Sequence, residues 1–456
     1  MSFIPFYFWR PNPLANSFIF ILASFILLGS TSNHYYANSF INILIKLWEF
    51  STTDHSSPLN HPWGPFLKRK SFLKENKVIL HRYLELLQIR KQHGEKVIGQ
   101  VKVDDAVLGM RGLPVMFYDG SQLDPIHGIT FRGHSIPDFC KKAQKAPRGE
   151  EPLPEAMFYL LLTGRYPNET EFNEVSEEWK QRGQLTDAER NFILSLPTDF
   201  HPMTMLSMAV LYLQRESKFF KAYQSGVNKS KYWETYYEDS MDLIAKLPHI
   251  CATIYRHKYK NSDLIDSNNQ LDWAGNFAHM LGYESQGMKE CLRGYLSIHA
   301  DHEGGNVSAH ACHLVGSALA DPYLSYSAAM NGLAGPLHGL ANQECLKWLV
   351  DLKEFHNGER PNRAKIQEFV NKTLKDGRVI PGYGHAVLRN TDPRFMHLKG
   401  FADKHIKNDY IADLARECFN TIPGILGQIG KIKNPYPNVD AFSGVCLQHY
   451  GKLLII

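Results

Sequence analysis

Apolar residues spaced three and four apart dominate the chain from Pro152 onward, a period that specifies amphipathic helices. Met203, Leu206, Val210 and Leu213 fall on one helical face. Trp233 to Leu247 repeats the pattern, and Pro248 directly after it reads as a stop. Ala309 to Leu319 and Leu324 to Leu333 are rich in Ala, Ser and Gly. Small side chains let helix axes approach closely, so these two stretches predict central, tightly packed helices. Closer to the N-terminus, Leu80 to Lys96 has helical spacing and Gly94 punctuates its end. Val97 to Val103 alternates and is followed by Gly/Pro-rich turns through Gly133 and Pro137, where a short strand or two fits. With no βαβ alternation, internal repeat or low-complexity tract, the prediction is a mostly α protein.

The 456 residues are enough for two or three domains. A net charge of +4 is too weak to direct the chain toward nucleic acid. Seven scattered cysteines without a C-x-x-C pair read as reduced, packed thiols rather than a disulfide framework. Folded texture begins near Leu67, which leaves residues 1–66 as a non-globular leader. Within it, Phe18 to Leu28 (FIFILASFILL) is intensely apolar but shorter than the ~18–20 residues of a spanning helix, so no stable membrane association is expected. The leader is acid-poor, as transit peptides are, but also Arg-poor, as they are not. From about Asn342 to Ser443 the chain is first charged and then rich in Gly and Pro turns, which suggests a smaller helical domain.

Four segments could carry chemistry. His299-Ala-Asp-His302-Glu-Gly-Gly-Asn306-Val-Ser-Ala-His310-Ala-Cys-His313 offers two H-x2-H pairs, a spacing that could seat a metal. Gly304-Gly305 breaks that run in the middle, and a break between two helices instead bares backbone N–H groups to a carboxylate. Asn331-Gly-Leu-Ala-Gly-Pro-Leu-His338-Gly is poor helix material, so a loop presents His338. Pro381-Gly-Tyr-Gly-His385-Ala-Val-Leu-Arg389-Asn-Thr-Asp-Pro-Arg394 combines glycines that admit a ligand close to the backbone with two arginines able to grip carboxylates. It is neither a P-loop nor a dinucleotide fingerprint. In Asn434-Pro-Tyr-Pro-Asn438-Val-Asp440, two prolines place the aspartate in a rigid, non-helical turn.

Taken together and in this order, these segments resemble the citrate synthase family, in its mitochondrial eukaryotic type. The resemblance spans roughly Leu80 to Gly451. It includes the Met110-Arg-Gly-Leu turn, Phe131-Arg-Gly-His-Ser-Ile-Pro137, Glu150-Glu-Pro-Leu-Pro154 and Lys231-Tyr-Trp-Glu234. It implies a two-domain helical fold: a large domain over 67–339, a small domain over 340–444 and a tail over 445–456. It also implies an acyltransferase that joins acetyl-CoA to oxaloacetate, giving citrate and CoA. By resemblance, His338 stabilises the enol of acetyl-CoA, His385 polarises the oxaloacetate carbonyl and Asp440 removes the methyl proton. His302 and Arg394 bind substrate carboxylates, while Val379, Ile380, Pro381, Gly382, Tyr383, Gly384 and Lys433 contact coenzyme A. No cofactor and no metal are implied, since acetyl-CoA is a substrate. A homodimer in the mitochondrial matrix is the implied assembly and place.

The last residues, Gly451-Lys-Leu-Leu-Ile-Ile456, depart from the family pattern. The resemblance implies that two further carboxylate-binding arginines follow that point, so weak or absent activity and poor folding are expected of the chain as written. A 2-methylcitrate synthase using propionyl-CoA and an inactive relative are the alternative readings.

Overall fold

The computed structural model describes residues 76–451, except 108, 110–115, 117, 358 and 431, with side chains from residue 85 on. The apolar run 18–28, the turn at 110–113 and residues 452–456 therefore lie outside the described residues. Within them the chain forms eighteen helices and one three-stranded sheet, the mostly α architecture that the periodicity predicts. Among the described residues, no helix is long and apolar enough to cross a membrane. All seven cysteines are free thiols.

The helix Tyr232–Tyr259 is the spine of the N-terminal part. The helices Glu169–Arg182, Asp187–Ser195, Pro202–Leu213 and Trp273–Leu281 pack around it. Pro248 does not stop it: the helix runs straight through that position. Proline normally costs a helix interior about 3 kcal/mol. Here Leu247, Pro248 and Ile250 are buried, so tertiary burial outweighs the local propensity. The predicted close pair is present as Val307–Gly316 and Pro322–Leu333. Pro322–Leu333 also meets Pro202–Leu213, where Ser207 Oγ and Ser327 Oγ lie 2.6 Å apart in the buried seam. Only residues this small allow two helix backbones so near each other.

Further along, the helices Ala341–Phe355, Arg363–Lys375, Tyr410–Gln428 and Asp440–Gly451 pack on one another. The helix Pro393–His405 packs on Asp440–Gly451 and also reaches back to Ile136–Lys142 and Gln286–Ile298.

The alternating stretch Val97–Val103 forms no strand. Val97, Ile98, Val101 and Val103 are exposed, and without a partner the alternation has no sheet to join. The short strands expected between Val97 and Pro137 fall in the later part of that region, as Ser121–Asp124, Gly128–Phe131 and His134–Ser135, all antiparallel. This small sheet matters for its neighbours. Leading into it, the Tyr118 hydroxyl donates to Asp301 Oδ2 at 2.6 Å, and Ser121 Oγ accepts from the Glu303 amide at 2.9 Å. On its first turn, the Pro125 carbonyl accepts from the Arg389 amide at 2.7 Å and the Ile126 carbonyl from Asn390 Nδ2 at 3.0 Å. One hairpin thus holds both the 301–303 loop and the 389–390 segment.

Candidate active site

His385 sits in the loop that follows Ile380, and its protonation pattern can be derived from its neighbours. The amides of Val387 and Leu388 both donate to Nδ1, at 3.0 and 3.1 Å. Nδ1 is therefore an acceptor, and the neutral ring carries its proton on Nε2. Burial, reinforced by the positive charge of Arg394, lowers the pKa of His385 and keeps the ring neutral. Its Nε2–H is a hydrogen-bond donor without a charge of its own.

His302 stands edge-on to that ring, with centroids 5.7 Å apart. Its Nε2 is buried and meets no hydrogen-bond partner among the described residues. Burial first, and Arg394 second, push its imidazole well below the usual range. The run from His299 to His313 does not converge as two H-x2-H pairs would suggest. His299 gives Nδ1–H to the Tyr295 carbonyl at 2.7 Å, His302 lies in the loop, and His310 and His313 lie on the next helix.

Arg394 is buried at the start of the helix Pro393–His405. Asp392, the N-cap of that helix, accepts from Arg394 Nε at 3.2 Å and from Nη2 at 2.7 Å. Burial alone would raise the Asp392 carboxyl. The charge and hydrogen bonds of Arg394 overcome this and hold it well below the usual carboxylate range. Asp392 was not picked out from sequence. Its signal was there, as an Asp-Pro helix start two residues before the arginine.

Asp440 is the first residue of the helix Asp440–Gly451, not part of a non-helical turn. The rigid turn ends just before it, because the Asn438 side chain accepts from the Asp440 amide at 3.0 Å and starts the helix. Burial pushes its carboxyl up to about 6; nearby Arg394 opposes the rise and Asp392 adds to it. A carboxylate in this position is held as a base poised near neutrality.

The segments carrying His385 and Asp440 are tied together by backbone. Tyr383 bridges antiparallel to Pro437; the Gly384 amide donates to the Tyr436 carbonyl at 2.9 Å and the Asn438 amide to the Gly382 carbonyl at 2.9 Å. Gly382 is at φ +77°, and a Cβ there would stand 2.8 Å from Cys345 Sγ and 2.9 Å from Ala441 Cα. Gly377 has a similar φ of +73° but nothing within 4 Å. Gly382→Ala should therefore destabilise the fold by about 1–3 kcal/mol more than Gly377→Ala in chemical denaturation. Equal losses would mean that the close approach at Gly382 carries no constraint. Of the remaining residues in this stretch, Ile380 is buried, while Val379 is 77% exposed and Lys433 is also exposed.

His338 arrives from the other side, on the turn after the helix Pro322–Leu333. Its Nε2 is 2.7 Å from Ser308 Oγ, which also lies 2.8 Å from Asn306 Oδ1, so the one hydroxyl proton can serve either neighbour. Asn306 caps the helix Val307–Gly316 and gives Nδ2–H to the Glu303 carbonyl at 3.1 Å. His338 is thereby linked to the loop that holds His302. Burial pushes its imidazole down to about 4, so it is neutral at physiological pH.

The arrangement offers a poised carboxylate, neutral imidazoles and a buried guanidinium, a set suited to proton abstraction from carbon and to binding an acidic substrate. Comparison with known proteins agrees with this chemistry. The family description "Citrate synthase, C-terminal domain" matches residues 109–452. The mitochondrial citrate synthase of Tetrahymena thermophila is 53% identical over 381 residues, covering 82% of each chain. That of Kajikia audax is 54% identical over 365 residues, covering 79% of this chain and 77% of its own. The crystal structure of the Pyrobaculum aerophilum citrate synthase superposes with a TM-score of 0.65 at 27% identity, covering 78% of this chain and 86% of its own. With a matched family region spanning most of the chain and relatives above 50% identity, this protein is an enzyme of the transferase class and belongs to the citrate synthase family.

Proposed function

We propose that the protein condenses acetyl-CoA with oxaloacetate and water to give citrate and CoA, with His338, His385 and Asp440 as its catalytic residues. A thioester methyl is a very weak carbon acid. Asp440 takes its proton, Ser308 turns its hydroxyl proton to His338 Nε2, and the Nδ1–H that this leaves on the neutral ring stabilises the enolate oxygen that forms. The new carbon nucleophile attacks the keto carbon of oxaloacetate, whose oxygen accepts from His385 Nε2–H. Oxaloacetate is a dianion, and Arg394 with His302 takes its carboxylates. Water then cleaves the citryl thioester. No step in this scheme calls for a cofactor. Coenzyme A lies along Val379 to Gly384, with Lys433 at its edge.

The observation that carries the reading is the tautomer of His385. Two backbone amides commit Nδ1 as acceptor, and this leaves a neutral donor at Nε2 beside His302 and Arg394. A neutral donor can polarise a keto group without surrendering a proton to a substrate carboxylate.

We place the boundary between the large and small domains near residue 339, the protein in the mitochondrial matrix, and the assembly as a homodimer. Exposed leucines on Pro322–Leu333 and on the two helices that pack against it support the dimer: Leu211 at 43%, Leu314 at 63% and Leu324 at 38%. The test of function is release of free thiol from acetyl-CoA by the purified 456-residue chain, dependent on oxaloacetate. Turnover with acetyl-CoA well above that with propionyl-CoA is expected. Thiol release that does not depend on oxaloacetate, or a preference for propionyl-CoA, would overturn the reading.

A further inference from the structure

We infer that Asn438 is a positioning residue that holds the base Asp440 and the carbonyl-polarising His385 in one rigid unit. The inference rests on the reaction proposed above and goes beyond it by assigning a role to a side chain that need not touch either substrate.

The geometry comes from one amide. Asn438 Nδ2 donates to the Gly384 carbonyl at 2.9 Å, and that carbonyl belongs to the peptide unit leading into His385. Asn438 Oδ1 accepts from the Asp440 amide at 3.0 Å. The two partners settle the orientation of the side chain, because a carbonyl needs the donor end and an amide N–H needs the acceptor end. The Asn438 main chain adds a third link, from its amide to the Gly382 carbonyl at 2.9 Å. Neighbouring contacts continue the seam, with Asn434 Nδ2 on the Leu388 carbonyl at 2.7 Å and the Pro437 carbonyl on the Asp392 amide at 3.1 Å.

Among the described residues, only Asn438 joins the backbone immediately before His385 to the backbone of Asp440 by its two side-chain ends. No other residue type does this at the same reach. Aspartate would set a carboxylate against the Gly384 carbonyl, and glutamine is one methylene too long for the turn that caps Asp440. The reaction needs base, methyl carbon and keto carbon in line, and an offset near 1 Å costs on the order of 10²-fold in rate. If the splice were cut, His385 would lose aim even though the change lies on the segment of Asp440.

The test uses the full chain with Asn438→Ala, which removes both ends, and Asn438→Ser, whose hydroxyl can still cap Asp440 but is too short to reach Gly384. The primary readout is the ¹³C resonance of the keto carbon of bound oxaloacetate, which reports polarisation by His385 directly. In the wild type this resonance should move downfield on binding. In both variants the displacement should shrink by about half or more, with kcat down on the order of 10²-fold and KM for oxaloacetate changed much less. Asp440→Asn, which leaves the splice intact, should keep the wild-type displacement. A merely structural role would lower the melting temperature without moving the resonance. Should Asn438→Ala fail to fold, Asn438→Ser decides alone. Wild-type displacement in the folded variants overturns the inference; no displacement in the wild type overturns the proposed reaction and this inference with it.

Discussion

Asp440→Asn is expected to lower kcat by about 10³-fold while leaving oxaloacetate binding nearly intact. The amide matches the carboxylate in size and cannot take a proton. The effect has a pH signature as well. Burial raises the Asp440 carboxyl to about 6, so the wild-type rate should climb as pH rises through about 6 and then level off. In Asp440→Asn that acid limb should disappear from what activity remains. Stability should move the opposite way. A carboxyl raised on folding binds its proton more tightly in the folded state. Its favourable contribution is present below the unfolded pKa, near 4, and is lost as pH rises through about 6. At pH 7.5 the charged, buried Asp440 therefore costs stability, and the asparagine variant should be more stable by about 1–3 kcal/mol. A slower enzyme that melts higher is the expected result, read by steady-state kinetics and thermal denaturation at pH 5 and 7.5. A variant with wild-type turnover, or one less stable at pH 7.5, would remove Asp440 from the role of base.

His338→Ala should cost about 10²–10³ in kcat, corresponding to about 3–4 kcal/mol of lost stabilisation of the enolate oxygen. Its imidazole is pushed down to about 4, so the wild-type rate should show no separate titration of this group between pH 6 and 9. Oxaloacetate contacts are assigned to His302, His385 and Arg394, so its KM should change little. The partial reaction isolates the role. Exchange of the acetyl-CoA methyl protons with heavy water, measured beside a non-reactive oxaloacetate analogue, should slow as much as turnover does. If exchange persists at the wild-type rate, His338 acts after enolisation or not at all.

How far these features were legible depends on whether their cause is local. Helical period showed through because each amphipathic face repeats over many residues, as in Pro202–Leu213 and the pair Val307–Gly316 and Pro322–Leu333. Pro248 misled because its local cost is large, whereas the burial that offsets it comes from neighbouring helices. Val97–Val103 misled in the reverse direction, since alternation describes a strand only when a partner strand exists. The segments holding His338, His385 and Asp440 stood out because Gly- and Pro-rich settings are rare around helices, and the family resemblance supplied the roles expected of the three residues. Their partners were harder to find. Ser308 lies 30 positions from His338, so its importance comes from a contact that closes only on folding, whereas Asp392 carried a local signal as the Asp-Pro start of the helix of Arg394. Asn438 belonged to a motif already singled out, but its bond to Gly384 spans 54 positions and leaves no local trace.

The pairing of Tyr383 with Pro437 encloses the helices Pro393–His405 and Tyr410–Gln428 in a long loop of chain. Closing such a loop costs entropy that is recovered only after the enclosed helices have docked. During folding, most of the helical content and much of the hydrophobic collapse can therefore precede the seam. On refolding, helix content is therefore expected to return before activity, since base and electrophile are aimed together only once this seam closes.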